Sequence, residues 1–92
     1  MNFEWDPEKA ELNLAKHGVT FEEASTAFGN PLSITISDPD HSNEEDRFIL
    51  LGQTYSGRFV VVVHTDRDET IRLISARMAT KGERRNYEEG QR

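Results

Sequence analysis

The second half of the chain holds most of the residues suited to chemistry on an anion. Residues 1–46 carry two lysines, no arginine and eleven acidic residues, whereas residues 47–92 carry nine basic residues against six acidic ones. Eight of those nine are arginines, and a guanidinium presents a planar fork that matches phosphate oxygens. Although the net charge is −6, this asymmetry favours an RNA or phosphate partner. The alternative is that the acidic half solvates the chain and pairs with the basic half.

The three histidines are the candidate groups for proton transfer, because imidazole changes its charge close to neutral pH. His17 follows Lys16 at a predicted helix end and is the better candidate, although a helix-end preference for positive charge would also explain both residues. His41 lies in an acidic loop and is expected to be solvated. His64 ends a strand and is expected to be packed and hydrogen-bonded. Without cysteine or a short ligand spacing, the sequence predicts no metal site.

No motif for nucleotide-cofactor or nucleophile-elbow chemistry is found. The G-x-x-x-x-G spacing of residues 52–57 lacks the Lys-Ser/Thr that would follow it in a phosphate-binding loop. RNA cleavage needs no cofactor, since the 2′-hydroxyl of the substrate is the nucleophile. A protein that cleaves RNA supplies a base, an acid and cations around the phosphorane.

The elements that would position these residues begin with two helices. Asp6 before Pro7 predicts a helix start, and Gly18 predicts its end after about His17. A capping box formed by Thr20 and Glu23 opens a second helix, which ends before residue 29.

The hydrophobic period then changes to two and predicts strands at residues 32–36, 47–54, 59–65 and 70–77, with a polar loop at 38–46. Hairpin-length connections make neighbouring strands antiparallel. A second capping box, Thr80 and Glu83, opens a short helix through Tyr87. The predicted fold class is α+β, a four-stranded antiparallel meander sheet with two N-terminal helices and one short C-terminal helix.

An approximate register follows from the predicted turns. A two-residue turn at Ser56-Gly57, followed by a turn that pairs Thr65 with Thr70, would set Arg58 opposite Arg77. Two opposed arginines need an anion between them, either a carboxylate such as that of Glu83 or a phosphate. Residues predicted on the same face as Arg58 and Arg77 are Gln53, Tyr55 and Ser75, continued by Ile49, Leu51, Val62, Ile71 and Leu73. A one-residue slip in either hairpin would scatter this cluster.

Length and composition indicate a single domain over residues 1–92, located in the cytoplasm. The chain has no cysteine and no visible signal peptide. Its longest apolar run, residues 59–63, is far too short to span a bilayer.

In order and spacing, several strings resemble the BrnT family of type II toxin–antitoxin toxins over nearly the whole chain. The strings are FEWD at 3–6, KHGV at 16–19, FEEA at 21–24, EDR at 45–47, the hairpin at 52–58, RLISAR at 72–77, AT at 79–80, ER at 83–84 and the tyrosine at 87.

The resemblance implies a RelE-like fold and a metal-independent endoribonuclease without cofactors, which inhibits translation and is neutralised by a BrnA-like antitoxin. The antitoxin would supply the DNA contacts of a complex that represses its own operon. The alternative is a non-catalytic module that binds its partner within that repressor complex. The matching positions predict proton transfer by His17 or Glu83 and phosphate binding by Arg47, Arg72 and Arg77. Catalytic candidates are therefore His17, Arg77 and Glu83, and RNA-binding candidates are Lys16, Arg47, Arg58, Arg72 and Arg84.

Overall fold

The structure, a computed structural model, describes residues 1–38 and 46–90. Its elements in chain order are β1 (Asn2–Glu4), α1 (Pro7–His17), α2 (Phe21–Thr26), a 3₁₀ turn (Ala27–Gly29), β2 (Ile34–Ser37), β3 (Arg47–Gln53), β4 (Phe59–Arg67), β5 (Thr70–Met78) and α3 (Lys81–Gly90). Most of the predicted polar loop at residues 38–46, with His41, lies outside the described residues. No helix of the described residues is long and apolar enough to cross a membrane.

The helix boundaries follow the capping signals of the sequence. The Asp6 carboxylate accepts a hydrogen bond from the backbone N–H of Glu8 at 2.8 Å and so caps the free N–H groups that open α1. Gly18 ends the helix with a φ of 71°, a conformation that favours glycine. The Thr20 hydroxyl accepts from the backbone N–H of Glu23 at 3.0 Å and caps α2. The predicted starts of α1 and α2 are confirmed.

The predicted four-stranded antiparallel meander with two N-terminal helices and one C-terminal helix is wrong. The sheet has five strands in the order β1-β5-β4-β3-β2. It is mixed, because β1 pairs with β5 in parallel, with Phe3 beside Ile71. Aromatic contacts hold this short strand in place: the ring centroids of Phe3 and Phe28 are 5.2 Å apart, and those of Trp5 and Phe21 are 5.8 Å apart.

The β3–β4 hairpin closes with a three-residue turn. The Thr54 N–H donates to the Arg58 carbonyl at 2.8 Å, and the Gly57 N–H donates to the Thr54 carbonyl at 2.9 Å. Gly57 takes a φ of 89°, as the last residue of such a turn does. The predicted two-residue turn is one residue too short, and a one-residue slip moves side chains to the opposite face. The next hairpin also differs from the prediction, because Thr70 pairs with Arg67 and not with Thr65, so Arg77 pairs with Val61 and not with Arg58.

A β-bulge in β5 reverses the alternation of side chains between the two faces of the sheet. Val63 pairs with Ser75 but His64 pairs with Leu73, so Ile74 is the extra residue of β5. Ser75 and Arg77 therefore lie on one face of the sheet, while Leu73 lies on the other. The prediction that all of them share a face is wrong, because the bulge shifts the alternation of side chains by one residue.

Helices α1 and α2 cover one face of the sheet, called here the helix face. The buried core lies between them, and its members are Val19, Phe21, Ala24, Ala27, Leu50, Val60, Val62, Leu73 and Ala76. The opposite face, called here the open face, is bordered by α3, where the rings of Tyr87 and Phe59 pack with centroids 5.4 Å apart.

Asn13 of α1 attaches the helix to the edge of the sheet. Its carboxamide oxygen accepts from the Ala76 N–H at 3.0 Å, and its nitrogen donates to the Ala76 carbonyl at 2.8 Å. The same nitrogen donates to the Val19 carbonyl at 3.0 Å. Because β1 pairs only with residues 70–72 of β5, this side chain satisfies backbone groups that an additional strand would otherwise bind.

Replacing Asn13 is expected to destabilise the fold severely. Asn13→Ala should lower the free energy of unfolding in urea by about 2–4 kcal/mol, because each buried backbone group left without a partner costs about 1–3 kcal/mol. Glu11→Ala, at an exposed position of the same helix, is the control and should change stability by no more than about 0.5 kcal/mol. An Asn13→Ala protein as stable as the control would contradict this role.

Candidate functional site

A groove of about 320 Å³ lies on the open face beside α3. Its floor is aliphatic, and its polar side chains come from β5 and α3, since the bulge at Ile74 turns Ser75 and Arg77 towards it. This surface, called here the open groove, is lined by Ile34, Ile36, Ile49, Leu51, Val61, Val63, Ser75, Arg77, Glu83 and Asn86.

Arg77 and Glu83 form a two-pronged ion pair at the polar end of the open groove. The two guanidinium Nη atoms donate to the two carboxylate oxygens at 2.8 and 2.9 Å. Glu83 is also part of the capping box that opens α3, because its Oε1 accepts from the Thr80 N–H at 2.8 Å and the Thr80 hydroxyl accepts from the Glu83 N–H. Both side chains remain partly exposed, at 42% for Arg77 and 33% for Glu83. The guanidinium is thus held in a fixed orientation while still accessible to a ligand.

The same contacts fix the charge of Glu83. Its hydrogen bonds with Arg77 are the largest influence, and together with those from Thr80 they lower the pKa of the carboxyl to about 2. Glu83 in turn raises the pKa of Arg77. A carboxylate with such a pKa stays ionised at neutral pH and is a poor proton donor or acceptor there.

A second, shallower cleft lies on the other side of β5. It is lined by Lys9, Leu12, Asn13, Lys16, His17, Ile74 and Ser75. Ser75 lines both this cleft and the open groove. The predicted candidates Lys16 and His17 therefore lie across one strand from Arg77 and Glu83.

Arg58 is separated from Arg77, contrary to the predicted register. Its Nη2 donates to the Gly18 carbonyl at 2.9 Å, and its Nε lies 3.3 Å from Glu23. The Glu23 carboxylate also accepts from the hydroxyls of Thr54 at 3.0 Å and Ser56 at 2.6 Å. The hydrogen bond from Ser56 is the largest cause of a lowered pKa at Glu23. Arg58 thus joins the β3–β4 turn to the corner between α1 and α2.

The remaining predicted RNA-binding residues are spread over the open face and α3. Thr65 pairs with both Arg47 and Arg72, which puts both arginines on the open face at the end opposite Arg77. Arg72 is 3.8 Å from Glu4. Arg84 lies over the ring of Phe59 and donates to Glu88 at 3.0 Å. Ser75 thus lies between two clefts, one lined by Lys16 and His17 and the other by Arg77 and Glu83. Neither cleft is lined by Arg47, Arg58, Arg72 or Arg84.

Sequence reasoning missed Asn13 and Asn86. Asn86 follows Glu83 by three residues on α3 and therefore shares its face, a signal available once the capping box is recognised. Asn13 follows Ala10 by three residues, but nothing local indicates that its amide binds a strand edge.

His64 is packed as predicted, but without the expected hydrogen bonds. It is 3% exposed. The centroid of its ring lies 4.8 Å from that of Phe28 and 5.8 Å from that of Phe48. Neither ring nitrogen has a hydrogen-bond partner among the described residues, although Nδ1 is 3.5 Å from Asp66. Burial is the largest influence on His64 and lowers its pKa, against the opposing effect of Asp66.

A known structure shares this architecture. The chain is similar to the crystal structure of the Brucella abortus ribonuclease toxin BrnT, with a TM-score of 0.64 and 24% sequence identity over 88% of this chain and 99% of that one. At that identity the similarity establishes the fold alone. Comparison with curated proteins gave no significant match.

The class that the fold and site define is a small α+β protein with a cationic site at the edge of its sheet. The family model for the ribonuclease toxin BrnT of type II toxin–antitoxin systems matches residues 5–83. The chain therefore belongs to the BrnT family of ribonuclease toxins, a family of enzymes, and membership in a type II system implies an antitoxin protein as partner.

The buried His64 predicts a loss of stability in mild acid. Because its pKa is lowered in the folded protein, the unfolded chain binds the proton more readily. The contribution of neutral His64 to the free energy of unfolding is fully present above about pH 6.5. Below that pH it falls, by at most about 1.4 kcal/mol per pH unit. His64→Phe should flatten this dependence between about pH 7.5 and 5.5 in urea unfolding experiments. An unchanged pH dependence in that variant would show that other groups cause the loss.

Proposed function

We propose that this chain is a metal-independent endoribonuclease that inhibits translation and is neutralised by a BrnA-like antitoxin. The observation that carries the proposal is the oriented guanidinium of Arg77, held by Glu83 at 2.8 and 2.9 Å and separated by one strand from the cleft of Lys16 and His17. A fixed cation and a histidine on either side of one strand supply charge stabilisation and proton transfer, the two requirements of RNA cleavage.

In the proposed reaction, the 2′-oxygen of RNA bonds to the adjacent phosphorus as the bond from phosphorus to the 5′-oxygen breaks. His17 accepts the proton of the 2′-hydroxyl, and the leaving 5′-oxygen receives a proton from solvent. Arg77 donates hydrogen bonds to the non-bridging oxygens, where negative charge develops. Lys16 adds a positive charge from the same cleft as His17.

Glu83 has a positioning role in this proposal. Its pKa of about 2 disfavours the alternative in which Glu83 itself moves protons at neutral pH. It holds both Nη atoms of Arg77, so phosphate oxygens approach the guanidinium in competition with the carboxylate or along its exposed edge. Arg47 and Arg72, on the open face, and Arg58 and Arg84, whose side chains have intramolecular partners, are proposed to contact RNA further from the scissile bond.

The proposed domain extent, location and DNA contact are those that the resemblance to the BrnT family implies. Residues 1–92 would act as one toxin domain in the cytoplasm, with operator DNA contacted only through the antitoxin. No additional cofactor takes part, and cleavage of RNA by the purified protein is expected to continue in EDTA.

Arg77 provides the first test of the enzymatic reaction. Arg77→Ala should reduce RNA cleavage by about 100- to 1,000-fold, because it removes the donors aimed at the developing charge. The measurement is inducible expression in a bacterium that lacks the antitoxin, following growth and the integrity of bulk RNA. Arg85→Ala, the same change at an exposed position of α3, is the matched control and should still arrest growth.

Two results would contradict parts of this proposal, either the ribonuclease activity or the role of Arg77. Normal growth and intact RNA with soluble, folded wild-type protein would leave the alternative, a partner-binding module without catalysis. Full cleavage by Arg77→Ala would remove Arg77 from the site while leaving the enzyme class intact.

His17 and Glu83 are distinguished by the pH dependence of cleavage. His17→Ala should lower kcat by about 100- to 10,000-fold and remove the rise in rate that accompanies deprotonation of the general base. Glu83→Gln should reduce kcat while leaving that rise in place, because the general base remains. The pH–rate profiles of the purified variants check this assignment, and loss of the rise in Glu83→Gln alone would reverse it.

A further inference from the structure

The floor of the open groove is a contiguous apolar surface that is partly exposed. Six aliphatic side chains line it, from β2, β3 and β4, and Ile36 is 56% exposed. β2 is one of the two edge strands of the sheet, so the open groove is accessible from that side. A contiguous apolar surface rimmed by polar groups is characteristic of a protein–protein contact.

RNA is a poor match for this floor. A phosphate backbone needs cations or hydrogen-bond donors, whereas the residues between the two ends of the open groove are isoleucine, leucine and valine. The cations of the open face lie at the ends, with Arg77 at one and the row of Arg47 and Arg72 at the other. RNA contact at Arg77 therefore leaves the aliphatic floor unexplained.

The strands of the open face carry more positive than negative charge. By register, the charged side chains on that face of the described strands are Glu4, Arg47, Arg67, Arg72 and Arg77. Glu83, which α3 adds beside them, is bound to Arg77. A complementary partner would have apolar side chains in the middle and carboxylates on either side.

We propose that the open groove is the docking site of the antitoxin, and that the segment of the antitoxin that occupies it is apolar and flanked by acidic residues. The inference rests on the proposed function for the identity of the partner, and it adds where and by what chemistry that partner binds. An occupant of the floor covers Ser75 and Arg77, which line the same groove. Neutralisation then results from exclusion of RNA from the guanidinium.

The test introduces a charge into the floor and compares its effect on antitoxin affinity with that of the same charge at a matched position outside the open groove. Ile36→Glu should raise the Kd for the purified antitoxin of the same system at least tenfold in isothermal titration calorimetry. Leu32→Glu is the control, because Leu32 is 54% exposed against 56% for Ile36 but does not line the groove. Its Kd should stay within twofold of wild type.

The sign of the introduced charge tests the acidic character of the occupant. Ile36→Lys places a positive charge at the same position and should weaken binding several-fold less than Ile36→Glu. Equal losses for the two variants would contradict the acidic flanks while keeping the apolar floor. Thermal unfolding of each variant verifies that it is folded, and Ile36→Ser is the neutral substitute if neither charge is tolerated.

Other results would overturn the docking site. If Ile36→Glu binds the antitoxin as tightly as the wild-type protein does, the floor is not the docking site. A raised KM for RNA with unchanged antitoxin affinity would assign the floor to the substrate. Dimerisation of the free toxin that Ile36→Glu abolishes, again with unchanged affinity, would assign it to a second copy of the chain. Because affinity is measured without RNA, failure of the docking site and failure of the ribonuclease activity are distinguishable.

Discussion

The register of the central strands is the constraint on which the rest of the structure depends. The three-residue turn closed by Thr54 and Arg58 decides which side chains of β3 and β4 face the helices, and the bulge at Ile74 decides the same for β5. With this register, Leu50, Val60, Val62 and Leu73 are buried on the helix face, while Leu51, Val61, Val63 and Arg77 line the open groove. One residue fewer in the turn would bury a different set of side chains.

Polar side chains of α1 and α2 connect the helices to this sheet. Asn13 binds the backbone of β5 at its edge, and Glu23 binds the β3–β4 turn through Thr54, Ser56 and Arg58. Together they fix the corner between α1 and α2, which is where His17 lies. The position of His17 relative to β5 therefore depends on the buried hydrogen bonds of Asn13, which lines the same cleft, and on the contacts of Glu23 with the β3–β4 turn.

The uneven charge of the two halves is partly neutralised within the fold. Glu23 pairs with Arg58, and Glu4 lies near Arg72, so acids of the first half do neutralise bases of the second. Arg77 instead forms its ion pair with Glu83, which belongs to the same half of the chain. On the described strands, four arginines face the open side against one carboxylate, that of Glu4, and Glu83 of α3 is paired with Arg77. A negative net charge is thus compatible with a cationic surface on one face.

The sequence by itself determined the features that local hydrogen bonds and side-chain periodicity control. Asp6, Gly18 and Thr20 cap helices as their types predict, the strands fall close to their predicted ranges, and the joint set of motifs indicated the family. Only the tertiary structure decided the parallel addition of β1, the length of the turn and the bulge. These features depend on packing between residues remote in sequence, and β1 is too short to show a period. The resemblance named His17 and Arg77 as candidates, but their placement in two clefts on either side of β5 could not be predicted for that reason.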